Sequence, residues 1–175
     1  MSDFKIYCDG AATMRKINDE YVREAGGWGY VILDKDDNEI IAAYGGENIS
    51  SNNAMELTAI RNSLRKFLSF GYTGKTVKIH SDSAYCINIF TSWIAGWKAN
   101  GWTRGKKHEP IENVEIIKEI DTIFEDIKKQ FCSIEFIKVR GHAGDKWNEV
   151  CDKLAVRGKM EDACHGIEVE LSSLF

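Results

Sequence analysis

Proline is almost missing from this chain, and with it any sign of an internal division. Pro110 is the one example in 175 residues, so no Pro-rich linker separates two folding units. The length suits one domain, which can bury roughly 70% of the surface that its unfolded chain exposes. No apolar run approaches the about 20 residues of a membrane-spanning helix, and the opening Met1-Ser2-Asp3-Phe4-Lys5 lacks the apolar core of a secretory signal. The expectation is a protein with no membrane partner. Five cysteines (8, 86, 132, 151 and 164) include no C-x-x-C pair and make an odd number, which points to reduced thiols in a cytoplasmic protein rather than a disulfide frame. An excess of positive charge is lacking too. The formal charge of -4 excludes a general polycation, but nucleic-acid binding depends on where basic groups cluster. Between Thr91 and His108 stand Lys98, Arg104, Lys106 and Lys107, with no acid among them.

What the chain does have is an echo. Lys5-Ile6-Tyr7-Cys8-Asp9-Gly10 and Lys78-Ile79-His80-Ser81-Asp82-Ser83 share one spacing: Lys, a ring two places on, and Asp two places further. In a strand, residues two apart share a face, so Lys5, Tyr7 and Asp9 point one way while Phe4, Ile6 and Cys8 point the other. If the two runs pair in parallel and in register, Asp9 and Asp82 become neighbours. Two carboxylates about 4 Å apart repel by roughly 4 kcal/mol at an effective dielectric near 20. They then need a cation or a shared proton between them.

Taken in order, the polar stretch from Thr13 to Glu24 reads as a loop or as the ends of a hairpin. Strands follow at Tyr30 to Leu33 and Ile40 to Tyr44, with turn residues from Asp34 to Glu39 between them. The Ser/Asn cluster Ser50-Ser51-Asn52-Asn53 offers an N-cap, and Leu57, Ile60, Leu64, Phe67 and Leu68 lie at helical spacing behind it. Gly71 and Gly74 close that helix, and the second key strand runs from Thr76 to Asp82. A short helix from Ser83 to Phe90, a Trp-rich stretch, a helix from about Asn113 to Lys128 and a strand from Ser133 to Val139 come next. A last helix starts near Asp145 or Lys146. Three strands followed by alternating helix and strand suggest a mixed sheet with helices packed on it.

Glu56 sits in the first turn of its helix beside the apolar stripe, and Asp152 lies next to Cys151 on the last helix. An acid flanking a buried stripe is ordinarily a solvated edge residue. Together with Asp9 and Asp82 the weighing changes. Four carboxylates at strand ends and helix edges, each in an apolar neighbourhood, suit a pair of hard divalent cations such as Mg²⁺. Two such ions about 3.5–4 Å apart can activate water and stabilise a leaving oxygen of a phosphodiester.

At this point the order of motifs becomes a resemblance. Asp9-Gly10, ISSNNAMELTA from Ile49 to Ala59, HSDSAYC from His80 to Cys86 and VRGHAGDKWNEVCDKLA from Val139 to Ala155 together resemble bacterial-type ribonuclease HI. The stretch from Phe90 to Glu115 resembles that family's basic protrusion. Any one motif is weak, and five in the right order over residues 4 to 157 are specific. The resemblance implies a ribonuclease H-like α/β fold: a five-stranded mixed sheet, three strands antiparallel and two added parallel, with helices on both faces. It implies a catalytic domain over residues 1–158, with 159–175 as a C-terminal extension of unknown role.

The same resemblance implies endonucleolytic cutting of the RNA strand of RNA/DNA hybrids by a monomer, giving 5′-phosphate and 3′-hydroxyl ends. Asp9, Glu56, Asp82 and Asp152 match the four carboxylates that hold two Mg²⁺ ions, with Mn²⁺ as the alternative metal and Asp9 shared between the two ions. His142 matches a histidine on a mobile loop that assists proton transfer or product release. Ser51, Asn52 and Asn53 match positions that contact phosphate or the minor groove, and short hydrogen-bonding side chains at a helix N-terminus suit that task. One of the three is expected to cap while another binds. Trp93, Trp97 and Trp102 are candidate stacking platforms, although the spacing of the first two fits one face of a helix and favours a structural role. Lys98, Arg104, Lys106 and Lys107 are expected to track the phosphates of the DNA strand.

Two departures stand out. The segment after Gly10 is longer and more charged than the short Gly/Pro-rich turn usual in the family, and Ala54 and Ala84 stand where many bacterial members carry longer polar side chains. Three other readings compete: a binding module without cleavage, a transposase- or resolvase-like nuclease, and a metal enzyme for a small molecule. The full set of acids opposes the first, the loop and protrusion motifs the second, and the basic Trp-rich stretch the third. Beyond the resemblance, Ile167, Val169, Leu171 and Leu174 either pack on the body or leave a loose end.

Overall fold

The computed structural model describes residues 2–141, 144–161 and 166–173. Strand β1 (Phe4–Ile17) pairs antiparallel with β2 (Glu20–Asp34), which pairs antiparallel with β3 (Glu39–Glu47). On the other side of β1, strands β4 (Thr76–Ser81) and β7 (Ser133–Lys138) add in parallel. The small pair β5 (Thr103–Arg104) and β6 (Glu109–Pro110) stands apart.

The expected five strands are six. The order is β7-β4-β1-β2-β3-β8, because β8 (Ile167–Val169) lies antiparallel on β3. The described part of the tail, residues 166–173, therefore packs on the body. Lys66 reaches Glu168 at 2.7 Å, and Leu171 is buried. Among the expected packing residues, Leu174 lies outside the described residues.

Alternation along β1 divides the core. Phe4, Ile6 and Cys8 face helices α1 (Asn52–Ser69) and α4 (Val114–Lys129), where Ile60, Leu64, Phe67, Ile117 and Ile120 are fully or almost fully buried. Tyr7, Val31 and Leu33 share the opposite face with Cys151 and Leu154 of α5 (Lys146–Met160) and with Leu171. Each fully buried Leu, Ile or Phe contributes roughly 1.5–3 kcal/mol, so both faces hold their helices firmly. Helix α5 lies very close to the sheet. A Cβ on Gly27 would come within 1.9 Å of the Ala155 carbonyl oxygen, and one on Gly158 within 1.9 Å of the Gly45 carbonyl oxygen. Side chains at those places would lift the helix.

The expected helix from Ser83 to Phe90 is α2 (Ala84–Asn88) running into a π-helical turn over Ile89–Trp93, and α3 (Ile94–Ala99) follows within the Trp-rich stretch. The stretch from Thr13 to Glu24 is a ribbon and not a loop. Strands β1 and β2 continue pairing up to Ile17 and Glu20, and the turn Asn18-Asp19 has φ of 51° and 65°, the left-handed pair that a tight two-residue hairpin needs.

Candidate active site

The echo between the two strands becomes a register. Lys5 pairs with Lys78 and Tyr7 with His80, and the Tyr7 and His80 rings stack at 4.2 Å with 9° between their planes. Two residues beyond this pair, the strands deliver Asp9 and Asp82. Asp9 is buried, and its Oδ1 accepts a hydrogen bond from the Gly10 backbone N–H at 2.9 Å.

Glu56 arrives from the first turns of α1. A Cβ on Gly10 would fall 2.3 Å from the Glu56 backbone nitrogen, so the glycine is what lets the helix rest on β1 at this point. Ser51 is the N-cap, its hydroxyl accepting from the Ala54 N–H at 3.1 Å. Asn52 Oδ1 accepts from the Ala12 N–H at 2.7 Å and ties the helix start to β1. The expected division of labour thus has Ser51 capping, Asn52 joining strand to helix, and Asn53 half-exposed beside them.

One ligand oxygen from each of Asp9, Glu56 and Asp82 lies within 4.8 Å of the others. Burial, reinforced by the charges of Asp82 and Asp152, pushes the Asp9 carboxyl up to about 7, against the hydrogen bonds it receives from Glu56 and Gly10. Burial and the neighbouring Asp9 charge hold Glu56 well above the usual carboxylate range. Glu56 Oε2 is buried with no hydrogen-bond partner. Acidic oxygens that repel one another, with one of them unsatisfied, are the donor set that a hard divalent cation takes, so the residues present fit such an ion. Asp152 stands half-buried on α5, outside that triangle, yet its charge reaches Asp9. His142 lies outside the described residues.

Two supports of Asp82 had no signal in the sequence. The Lys138 ammonium donates to the Asp82 carbonyl at 2.6 Å and to the Val139 carbonyl at 3.0 Å. A Cβ on Gly141 would sit 3.1 Å from Asp82 Oδ2. On α5, the first-turn Asn148 is buried with its Oδ1 unpartnered.

With this geometry in view, residues 1–160 match the family model described as RNase H. The chain belongs to the ribonuclease H family. It is 34% identical over 165 residues to the ribonuclease H of Treponema denticola, covering 88% of this chain and 95% of that one. It is 35% identical over 156 residues to the ribonuclease H of Syntrophomonas wolfei, covering 89% and 94%. Among solved structures, LC9-RNase H1, a type 1 RNase H with the type 2 active-site motif, superposes with a TM-score of 0.77 at 22% identity, over 98% of this chain and 79% of that one. A foamy viral protease-reverse transcriptase in complex with RNA/DNA hybrid gives 0.71 at 20% identity, over 90% and 20%. LC11-RNase H1 in complex with RNA/DNA hybrid gives 0.63 at 19%, over 90% and 96%. The family carries the enzyme class with it, a ribonuclease. Among the described residues no helix is long and apolar enough to cross a membrane.

In this ribonuclease the basic stretch folds as a protrusion built on α3, β5 and β6. Trp93, Gly96, Trp97, Asn100, Thr103 and Lys106 line a shallow cavity of about 570 Å³. Trp93 is 41% exposed, whereas Trp97 and Trp102 pack against the core. Lys118 lies 5.6 Å from the Trp102 ring centre. Lys98 turns to α4 and pairs with Asp121 at 2.9 Å, and Arg104 lies 3.8 Å from Glu109. Lys106 and Lys107 are exposed.

Proposed function

We propose that this ribonuclease cuts the RNA strand of RNA/DNA hybrids internally, leaving 5′-phosphate and 3′-hydroxyl ends, and that Asp9, Glu56, Asp82 and Asp152 hold two Mg²⁺ ions, or Mn²⁺ in their place. The observation that supports this most is the triangle of carboxylate oxygens within 4.8 Å, two of its three residues buried and one oxygen without a partner. Leaving acids in that state without a counter-charge is costly. When bound, the ions supply Lewis-acid stabilisation and a more acidic water at a neutral pH. The hybrid complexes of LC11-RNase H1 and the foamy viral enzyme suggest the substrate class.

The chain's own residues then have distinct tasks. Asp9, set just past the last residue of β1 that pairs with β4, would hold the ions together with Glu56, Asp82 and Asp152. Asn52 and Asn53 at the start of α1 meet the minor groove of the hybrid, where a wide, shallow, A-form-like surface displays 2′-hydroxyls. Ser51 keeps its capping bond. Trp93 with Lys106 and Lys107 lies along the DNA strand, and His142 moves a proton on or off the reacting oxygens. We place the enzyme in the cytoplasm as a monomer, with residues 1–158 as the catalytic unit. Its buried free thiols Cys8, Cys86, Cys132 and Cys151 suit a reducing compartment.

The test uses an end-labelled RNA presented alone, in duplex RNA and in a hybrid, with Mg²⁺ or with chelator. Metal-dependent cutting of the hybrid alone, lost in Asp9→Asn, is the expected result. Cutting that survives Asp9→Asn would remove the carboxylate centre from the reaction, and a folded protein that never cuts the hybrid would remove the substrate.

A further inference from the structure

The three clustered carboxylates are not held in the same way. Asp9 is buried and takes hydrogen bonds from the Gly10 N–H and from Glu56, which is buried beside it. Asp82 is only half-buried, and among the described residues nothing donates a hydrogen bond to its carboxylate. Its place therefore depends on its backbone.

That backbone stands just past the end of the sheet's support. Pairing of β4 with β7 stops at Ser81 opposite Lys138, and pairing of β4 with β1 stops earlier, at His80 opposite Tyr7. The Val139 N–H on the Ser81 carbonyl at 2.9 Å closes the ladder. Asp82 lies beyond the last paired residue on both sides.

Lys138 spans this gap. Its ammonium donates to the Asp82 carbonyl at 2.6 Å and to the Val139 carbonyl at 3.0 Å, so one side chain joins the residue after β4 to the residue after β7. Each bond uses one of three ammonium protons, and a charged donor makes a shorter and stronger bond than a neutral one. A lysine on an edge strand ordinarily has a plainer task, which is to keep other chains from pairing with that edge. Its charge then points into water. Here the side chain turns back onto the backbone, and among the described residues no carboxylate forms an ion pair with it. The same stretch of chain also reaches the carboxylate, since a Cβ on Gly141 would sit 3.1 Å from Asp82 Oδ2. The backbone after β7 runs from the Asp82 carbonyl to its side chain, and Lys138 sets where that run begins.

We propose that Lys138 is a positioning residue for the cation centre, holding Asp82 at the spacing from Asp9 and Glu56 that a divalent ion requires. It acts through the Asp82 backbone and touches neither the ion nor the nucleic acid. This rests on the proposed cation-binding role of the carboxylates. A ligand that is free to wander must be ordered when the ion binds, and that ordering lowers affinity. Charge alone would work the other way. A cation near three carboxylates repels a divalent ion, so removing it would tighten ion binding, whereas removing a lock weakens it. The two explanations differ in sign.

The experiment measures Mn²⁺ binding without nucleic acid, from the loss of the free-ion electron paramagnetic resonance signal, in the unaltered protein, Lys138→Met and Lys138→Arg. Methionine keeps an unbranched stem and loses the donors, while arginine keeps charged donors. Lys138→Met should weaken binding by about tenfold, the scale seen when a group that orients a metal ligand is removed, and Lys138→Arg should restore most of it. Hybrid cleavage at rising Mg²⁺ should show the same shift in half-saturating metal, with KM for the hybrid unchanged. All three proteins should melt alike in chelator. Unchanged or tighter Mn²⁺ binding in Lys138→Met overturns the inference while leaving the cation centre intact. A loss confined to KM for the hybrid would make Lys138 a phosphate contact and also overturns it. Weaker binding that comes with an equal loss of metal-free stability, and that arginine does not restore, would reduce Lys138 to a strand clip and overturns it as well. An unaltered protein that binds no Mn²⁺ would remove the centre itself, and the inference with it.

Discussion

The carboxylate centre and the protrusion handle charge in opposite ways. At the centre, like charges are brought together out of water, with Asp9 and Glu56 buried and pushed toward their neutral forms. On the protrusion, opposite charges sit in water, with Arg104 loosely beside Glu109 and Lys106 and Lys107 exposed. The first arrangement is expensive to build and sensitive to every atom. The second is inexpensive, tolerant and screened by salt. On the proposed function, chemistry falls to the first region and grip to the second.

Removing a member of the centre should have the largest effect. Asp82→Asn should lower hybrid cleavage in Mg²⁺ by at least about 10²–10³-fold, the cost of losing one preorganised electrostatic group, while hybrid affinity in Ca²⁺ is retained. Cleavage that persists would move the reaction away from the three carboxylates.

The second effect concerns pH without metal. The folded-state pKa of Asp9, about 7, lies above its ordinary value of 3.8. The folded form therefore holds a proton that the unfolded chain releases, and this contribution to stability is present below about pH 4 and lost as pH rises toward 7. Over that window the loss should be of the order of a few kcal/mol. Urea unfolding of the metal-free protein near pH 5 and near pH 8 measures it, and added Mg²⁺ should restore more stability at the higher pH. Equal metal-free stability at both, once other titrations are matched with an Asp9→Asn control, would mean that the centre is not strained.

Gly10→Ala comes third. Its Cβ would meet the backbone of α1 at 2.3 Å, so a loss of about 1–3 kcal/mol is expected from overpacking, together with slower cleavage as Glu56 is displaced from Asp9. A thermal melt alongside the rate separates the two consequences. The smallest effect belongs to the protrusion. Lys106→Ala and Lys107→Ala should each weaken hybrid binding uniformly across sequences and flatten its salt dependence by about one counterion. A sharp loss of kcat in either would erase the contrast between the regions.

The same contrast governs what the sequence revealed. The Asp9–Asp82 side of the triangle was legible because Lys5-x-Tyr7-x-Asp9 repeats as Lys78-x-His80-x-Asp82, and a repeat of that kind has meaning only as a strand register; Glu56 joined it through the resemblance. Helix α1 was legible from Ser51 and the apolar spacing behind it. For the ribbon, loop and hairpin ends both stayed open, because a strand exposed on both faces has no reason to alternate, and its mixture of charges resembles a loop. The sixth strand was missed since three residues make no period. The pairing of Lys98 with Asp121, on another helix, has no local signal. The anchoring of Asp82 by Lys138 is a tertiary contact of the same sort.

The tail carries a consequence for life in a crowded solution. Strand β8 lies along Ala42, Ala43 and Tyr44 of β3, part of an apolar run whose backbone would otherwise be a bare sheet edge. Such edges template pairing with other chains. With Lys66 gripping Glu168 on one layer and Leu171 entering the core of the other, the tail acts as a guard against aggregation. A chain trimmed after Met160 would keep its three clustered carboxylates and lose its resistance to sticking to its own kind.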